Sequence, residues 1–254
     1  MIPLNIFQTW HTNNLPYKMK ENINLLIKQN PEFKHYIFDI KKCREFIRIH
    51  FDHKVLDAYD NLIPFAYKAD LWRYCVLYIK GGIYIDVKFK CINNFKLIDL
   101  IDNEYFCLDK NPEFIFNAFM ICYPKNKILK NCIDKIVNNV KYNYYGFSAL
   151  HPTGPALLGE IYYKYHINKN IELYHHISGK YILYNNKKIL EMYNEYRKEQ
   201  NHNTKNPYYA KLWTDGLIYK NHKQEKSLLW YRKIIYQLFL FSNNIINNFY
   251  INNL

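Results

Sequence analysis

The stretch from Ala66 to Lys90, AYKADLWRYCVLYIKGGIYIDVKFK, constrains this chain most, because it spells a helix, its stop and a strand with charged residues at fixed places. Leu71, Cys75, Tyr78 and Ile79 recur at helical spacing, the stripe that a core-facing helix needs. Asp70 and Arg73 stand one turn apart and off that stripe, so their side chains can project together. Gly81-Gly82 stops the helix, since glycine takes the left-handed conformation that a helix end commonly requires. From Ile83 to Lys88 the period becomes two, with Ile83, Ile85 and Val87 on one face and Tyr84, Asp86 and Lys88 on the other. Two carboxylates, a guanidinium and an ammonium are therefore expected close to one strand end. Packing has no use for that set; a ligand does.

Around this stretch strands and helices alternate. Ile2–Trp10 (IPLNIFQTW) reads as a strand, Pro16–Asn30 as a helix, Tyr36–Phe38 as a strand, and Lys41–Ile49 and Val55–Leu62 as helices. The pattern argues for an α/β sheet, in which ligands collect beyond the carboxyl ends of the strands. Phe89–Leu100 and Glu104–Leu108 read as edge strands and turns, Phe114–Met120 as a buried strand interrupted by Asn117, and Lys127–Val140 as an amphipathic helix. A buried amide needs partners or costs about 1–3 kcal/mol, so Asn117 is either a binding residue or a satisfied turn residue. His151-Pro152-Thr153-Gly154-Pro155 forms a stiff turn that aims backbone N–H groups and the next helix into a cleft, with His151 beside it as a base or hydrogen-bond partner. His175-His176 in Ile171–Leu190 point to opposite faces of a strand and read as structural. Glu191–Pro207 reads as a polar loop with a short helix.

Residues 1–222 are expected to form one domain, and residues 223–254 a C-terminal apolar and basic helix. Within the latter, Leu228–Phe241 is too short and too charged to span a bilayer; it packs on the domain or lies on an anionic membrane surface. With 35 Lys+Arg against 22 Asp+Glu the chain carries a formal +13, a field that attracts anions. No basic run or RNA-binding motif concentrates that charge, so nucleic acid is not the expected partner. The six cysteines include no C-x-x-C pair and sit in apolar surroundings, as reduced core thiols do. With no signal-peptide pattern at Met1–Ile6, the expectation is a cytoplasmic protein, not secreted, with peripheral membrane contact as the variant of that reading.

The central motif, Ala66, Asp70, Arg73, Leu77, Gly81, Gly82, Tyr84 and Asp86, resembles the glycosyltransferase family whose sugar-binding region contains a DXD motif, glycosyltransferase family 32. That family includes initiating mannosyltransferases of the yeast type and capsule-type enzymes of bacteria and viruses, and it is distantly similar to the large clostridial glucosylating toxins. The opening I-P-x-x-I-x-Q-x-W, the N-A-F-M segment at Asn117 and the T-G-P-x-L segment at Thr153 extend the similarity. The resemblance implies a GT-A-like fold with a mixed, mostly parallel sheet flanked by helices. It implies transfer of a hexose from a UDP- or GDP-linked donor to a glycan, lipid or protein acceptor, with retention of configuration. A catalytically inactive sugar- or nucleotide-binding protein of the same fold is the alternative.

Carried over residue by residue, the resemblance makes Asp70, Arg73 and Asp86 the catalytic set, with Asp70 and Arg73 on sugar hydroxyls and Asp86 on sugar and ribose. Gln8, Thr9 and Trp10 would meet the base, and Tyr84, Asn117, His151, Thr153 and Gly154 would line the donor site. Lys211, Trp213 and Asp215 would close over the diphosphate from the C-terminal side. Where the family has its second aspartate this chain has Lys88, which moves the local charge by two units, from attracting a cation to repelling one. A Mn²⁺ or Mg²⁺ ion is therefore expected to be dispensable, with Lys88 taking up the phosphate charge. The competing arrangement has Asp86 and Asp215 holding the metal.

Overall fold

The computed structural model describes residues 1–165, 171–203 and 208–221, with Ile234 and Leu238 beyond them. The first elements follow the expected alternation: β1 (Asn5–Thr9), α1 (Tyr17–Gln29), β2 (Lys34–Phe38), α2 (Ile40–His50), α3 (His53–Asn61), α4 (Phe65–Lys80) and β3 (Gly82–Ile85). Asp39 and Asp52 start α2 and α3 by accepting from the N–H groups of Lys42 and Val55. Helical crossovers are what parallel pairing requires, and β1 lies parallel to both β2 and β3.

After β3 the architecture changes. There follow β4 (Phe89–Cys91), β5 (Tyr105–Leu108), β6 (Ile115–Cys122), α5 (Lys127–Lys141), α6 (Pro155–Tyr165), β7 (Leu173–His175), β8 (Tyr181–Tyr184), β9 (Lys187–Met192), α7 (Tyr196–Asn203) and α8 (Tyr209–Thr214). Among the described residues they join one nine-stranded sheet in the order β2-β1-β3-β6-β5-β7-β8-β9-β4. The sheet is mixed as expected, but not mostly parallel: of its eight pairings only β1–β2, β1–β3 and β5–β7 are parallel. Short turns join β5 to β6, β7 to β8 and β8 to β9, and a short turn can connect only antiparallel neighbours. β7 pairs in parallel with the other edge of β5, so β5 is an interior strand, between β6 and β7, and not the edge strand that its sequence suggests.

The sheet must curl. β3 and β4 are consecutive in the chain, yet β4 is the far edge of the sheet. Only Asp86, Val87 and Lys88 separate them, so the two strand ends lie at most about 14 Å apart. The far edge therefore returns to the end of β3, and the turn 86–88 forms the mouth of the curl. Buried Asn22 on α1 pins this turn by donating from Nδ2 to the carbonyls of Val87 (2.9 Å) and Phe89 (3.0 Å). Inside the curl lies one apolar core, including Ile85, Phe89, Phe116, Phe119, Leu173 and Leu190; a second fills the space between the sheet and helices α2 to α6.

α4 connects the two halves. Its residues from Tyr67 to Leu77 are all buried, not only the predicted stripe, because α2, α5 and α8 cover the faces that the sheet leaves free. At its end Gly81 has φ +61°, and a Cβ there would meet Pro124 Cδ at 2.6 Å. Gly82 has φ +110° and no room beside Asn5 O, so each glycine is required twice over. The six cysteines are free and buried, as expected. Among the described residues no helix is long and apolar enough to cross a membrane. Of the C-terminal segment only Ile234 and Leu238 are described, both helical and exposed; the readings of Leu228–Phe241 and of domain 223–254 otherwise lie outside the described residues.

Candidate active site

Asp70, Arg73 and Asp86 converge. Asp70, in the second turn of α4, is 8 % exposed and accepts from Asn117 Nδ2 (2.9 Å) through Oδ1 and from Thr153 Oγ1 (2.8 Å) through Oδ2. Arg73, one turn on and 7 % exposed, donates from Nη1 to the backbone carbonyl of Asn117 (2.9 Å) and from Nε to that of Ala69 (3.2 Å). Its guanidinium lies 4.4 Å from the Tyr84 ring centre, 3.5 Å from Asp70 Oδ1 and 3.6 Å from Asp86 Oδ1. Asn117 Nδ2 also donates to Tyr74 Oη (2.9 Å). Gly154 adjoins the group: a Cβ there would stand 3.4 Å from Asp70 Oδ2.

Asp86 follows the last residue of β3 and faces two ways. Its Oδ1 accepts from Tyr84 Oη (2.8 Å) on the α4 side, while Oδ2 lies 3.1 Å from Lys88 Nζ on the side of the curl. Sequence alternation places Lys88 on the same strand face as Asp86, but β3 ends at Ile85 and the two meet across a turn closed by Phe89 N donating to Asp86 O. Burial pushes Asp86 up, but Lys88 and Arg73 outweigh it and hold the carboxyl below its ordinary range. Asp70 goes the other way. Burial there prevails over Arg73, Thr153 and Asn117, and the carboxyl is raised. For Arg73, burial is overcome by Tyr84, Asp70 and Asp86, so it stays charged.

Several expected site residues are elsewhere engaged. Trp10 is packed against Met19, Ile23, Val87, Tyr193 and Tyr196, so its ring is covered and not open for stacking. Gln8, on the same face of β1, is fully buried and hydrogen-bonds His35 Nε2 at 2.8 Å; Thr9 donates to Phe38 O at 2.8 Å. His151 Nδ1 is taken by Ser148 (2.9 Å to Oγ), and its ring lies against Phe114 and Phe147. Trp213 is a core residue whose Nε1 donates to Tyr145 O at 2.7 Å. Lys211 and Asp215 pair with each other at 2.9 Å, one helical turn apart on the surface of α8. The proposed metal pair of Asp86 and Asp215 is thus not assembled, because Asp215 serves a local ion pair.

A divalent cation does not fit this donor set. Asp86 is the only carboxylate of the shortened motif, and one of its oxygens already faces an ammonium at 3.1 Å. Among the described residues no three His, Cys, Asp or Glu side chains converge to hold an ion. Residues that the sequence reading passes over complete the site. Tyr74 and Asn22 sit inside elements whose pattern marks them as core and surface, respectively, and they gain roles only through long-range contacts. His175, read as structural, hydrogen-bonds Asp109 at 2.9 Å and stacks on Phe116 at 3.7 Å, beside Lys88.

Residues 16–107 match the protein family described as "Glycosyltransferase sugar-binding region containing DXD motif". The chain is 28 % identical over 177 residues to inositol phosphoceramide mannosyltransferase 3 of Schizosaccharomyces pombe, a match covering 69 % of this chain and 49 % of that protein. It is 34 % identical over 96 residues to an uncharacterized glycosyltransferase of Acanthamoeba polyphaga mimivirus, covering 37 % of this chain and 38 % of that one. A 31 % identical stretch of 91 residues is shared with the initiation-specific alpha-1,6-mannosyltransferase of Candida albicans, covering 34 % and 24 %. The chain thus spans half or less of the length of these curated relatives. Among solved structures, the PaToxG glycosyltransferase superposes with a TM-score of 0.51 at 17 % identity over 64 % of this chain and 68 % of that one, which shows a GT-A-like fold.

Proposed function

Because residues 16–107 belong to the glycosyltransferase family with a DXD-containing sugar-binding region, we propose that this chain transfers a hexose from a nucleoside-diphosphate sugar to a glycan, lipid or protein acceptor, with retention of configuration. The observation that carries the reading is the convergence of Asp70, Arg73 and Asp86 at the end of β3. A carboxylate offers about four lone-pair sites, and Asn117 and Thr153 use one on each oxygen of Asp70. The remainder is available to sugar hydroxyls. Arg73 adds a rigid fork of donors beside it. Asp86 stands between this pair and Lys88, where the sugar–phosphate bond would break. Lys88 supplies positive charge toward the leaving diphosphate, the place at which transition-state charge needs a partner.

The relatives' names favour mannose as the sugar and a phosphorylated sphingolipid among the acceptors. An anionic acceptor suits a chain of net charge +13. The test is a thermal-stability screen of the full chain against UDP- and GDP-sugars in EDTA, followed by a transfer assay on the donors that stabilise. Stabilisation by one donor class, transfer without added metal, and loss of both in Asp86→Asn are expected. Transfer abolished by EDTA and restored by Mn²⁺ refutes the role given to Lys88. The second reading, a site that binds donor without turning it over, draws on the ion pair between Asp86 and Lys88. It predicts the same stabilisation with neither donor hydrolysis nor transfer.

A further inference from the structure

The side of Asp86 that faces the curl gathers more positive charge than its carboxylates answer. Lys88 Nζ pairs with Asp86 and lies 5.0 Å from the Phe116 ring centre and 5.1 Å from that of Phe89. Beyond it, the turn from β5 to β6 carries Lys110. That turn is fixed: Asp109 Oδ1 accepts from Lys110 N at 2.8 Å, Asp109 N donates to Phe114 O at 3.0 Å, and Asp109 Oδ1 shares a 2.9 Å hydrogen bond with His175 Nδ1. The Lys110 ammonium is laid against Gly179, where a Cβ would come within 2.8 Å of Nζ. A third cation, Arg197, comes from α7. This helix is held over the turn 86–88 by Tyr193 N donating to Lys88 O at 3.0 Å, by Tyr196 in the cluster with Val87, and by Glu199, which accepts from Lys18 N (2.8 Å) and Met19 N (3.0 Å).

Among the described residues no carboxylate forms an ion pair with Lys110 or Arg197; Arg197 Nη1 donates to the neutral Gln200 Oε1 at 2.9 Å. Burial pulls the Lys110 ammonium below the ordinary lysine range against the pull of Asp109, and the charges of Arg197 and Lys88 both reach it and lower it further. Lys88 and Lys110 are half-buried and Arg197 is exposed, so the three are graded from the floor of the site to its rim. Like charges collected in this way repel one another unless an anion joins them.

We propose that Lys88, Lys110 and Arg197 form a metal-free anion site for the diphosphate of the nucleotide donor, a proposal that rests on the transferase reading above. A diphosphate suits the site better than a single carboxylate because the cations come from three separate segments: the turn 86–88, the β5–β6 turn and α7. Its charge also grows by about one unit when the sugar bond breaks, so the cations hold the leaving group more tightly than the donor.

The experiment is calorimetric titration of the full chain in EDTA with inorganic pyrophosphate, UDP and GDP, and in parallel with phosphatidylinositol vesicles. The variants are Lys110→Ala, Arg197→Ala and their combination, with Lys130→Ala on exposed α5 as a control that lowers the net charge equally. Pyrophosphate binding without metal is expected, weakened about tenfold by each single variant and by more in the double variant, with the control unchanged. A thermal midpoint equal to that of the parent shows that the variants fold, and Lys110→Gln serves should Lys110→Ala not. Unchanged pyrophosphate affinity in both single variants overturns the proposal, as does binding that appears only with Mn²⁺. Loss of vesicle binding in the variants while pyrophosphate binding persists reassigns the cations to a lipid headgroup and also overturns it. Sugar transfer measured alongside separates the two readings. Transfer with pyrophosphate binding that is indifferent to Lys110 and Arg197 removes this inference alone; binding that depends on them with no transfer of any sugar removes the transferase reading and leaves the anion site.

Discussion

Replacing Arg73 with methionine keeps most of the apolar stem and removes the charge that the buried site is built around. Arg73 stands 3.5 Å from Asp70 and 3.6 Å from Asp86, and its Nη1 satisfies the carbonyl of Asn117 at 2.9 Å. Asp86 retains Lys88 in the variant, but Asp70 keeps only neutral donors. Breaking a buried ion pair from one side costs about 3–5 kcal/mol, because the remaining charge is left without a partner. At roughly 2–4 °C per kcal/mol for a chain of this size, the midpoint of thermal unfolding falls by about 6–20 °C. The cost depends on pH with a definite sign. Burial already raises Asp70, and losing Arg73 raises it further, so proton uptake relieves the folded state and the destabilisation is smaller at pH 5 than at pH 8. Combining Asp70→Asn with Arg73→Met removes the stranded carboxylate, so the pair loses less than the sum of the single variants by at least about 1 kcal/mol. Urea unfolding followed by circular dichroism, with an unchanged m-value, measures each term. A single-variant cost below about 1 kcal/mol, or strict additivity, shows that the cluster is not electrostatically coupled.

Thr153→Val removes the donor to Asp70 Oδ2 while leaving shape and backbone in place, and is expected to cost about 1–3 kcal/mol; Thr153→Ser restores the loss in the same urea titration. The parent's own pH profile carries opposite contributions from the two carboxylates. Asp70, raised in the folded state, favours folding at acid pH and loses that contribution as pH rises through its folded value, whereas Asp86, lowered, stabilises above the ordinary aspartate range and loses its contribution as pH falls below it. Asp70→Asn should therefore flatten the decline in stability on the alkaline side of the normal aspartate pKa, and an unchanged profile contradicts the assignment. On the transferase reading proposed above, Lys88→Asp restores the second acid of the motif and should make transfer depend on Mn²⁺ where the parent's does not; equal dependence of parent and variant on EDTA counts against the role of Lys88.

The part of the site that was legible lies within one stretch of chain. A helical period, a double glycine and an alternating strand place Asp70, Arg73 and Asp86 from local geometry alone, and their separations follow from α4 leading directly into β3. The partners of these residues were not legible as geometry. Asn117 reaches Asp70 because β6 pairs antiparallel with β3, and Thr153 arrives through the loop before α6; the buried amide and the stiff turn marked both segments, but not which carboxylate they meet. The contacts that Lys211, Trp213 and Asp215 make in the structure follow from their spacing. Positions 211 and 215 are one helical turn apart while 213 lies on the opposite side, so at α8 Lys211 is exposed, Asp215 is half-buried beside it and the indole is buried. Trp10 was not legible in that way: Phe7 and Thr9 on one face of β1 and Ile6 and Gln8 on the other are all buried, so alternation does not decide between base and core, and the packing with α1, Tyr193 and Tyr196 does.

The outer half of the site depends on topology that no window of sequence contains. Lys88, Lys110, His175 and Arg197 belong to four segments that meet because the sheet curls and returns its far edge to the end of β3. Alternation carried past Ile85 reaches the correct conclusion, that Lys88 meets Asp86, for the wrong reason: the chain turns there, and the turn places the ammonium inside the curl and not on the strand face that Tyr84 shares. This difference decides the chemistry. On the strand face Lys88 would crowd Arg73 against Asp70 and Asp86; inside the curl it separates the two charges, so that one oxygen of Asp86 faces the Arg73 side and the other the Lys88 side. On the transferase reading proposed above, a donor lying across Asp86 would meet carboxylate and amide groups at its sugar and cations at its diphosphate, and the break in the strand would be what sorts them.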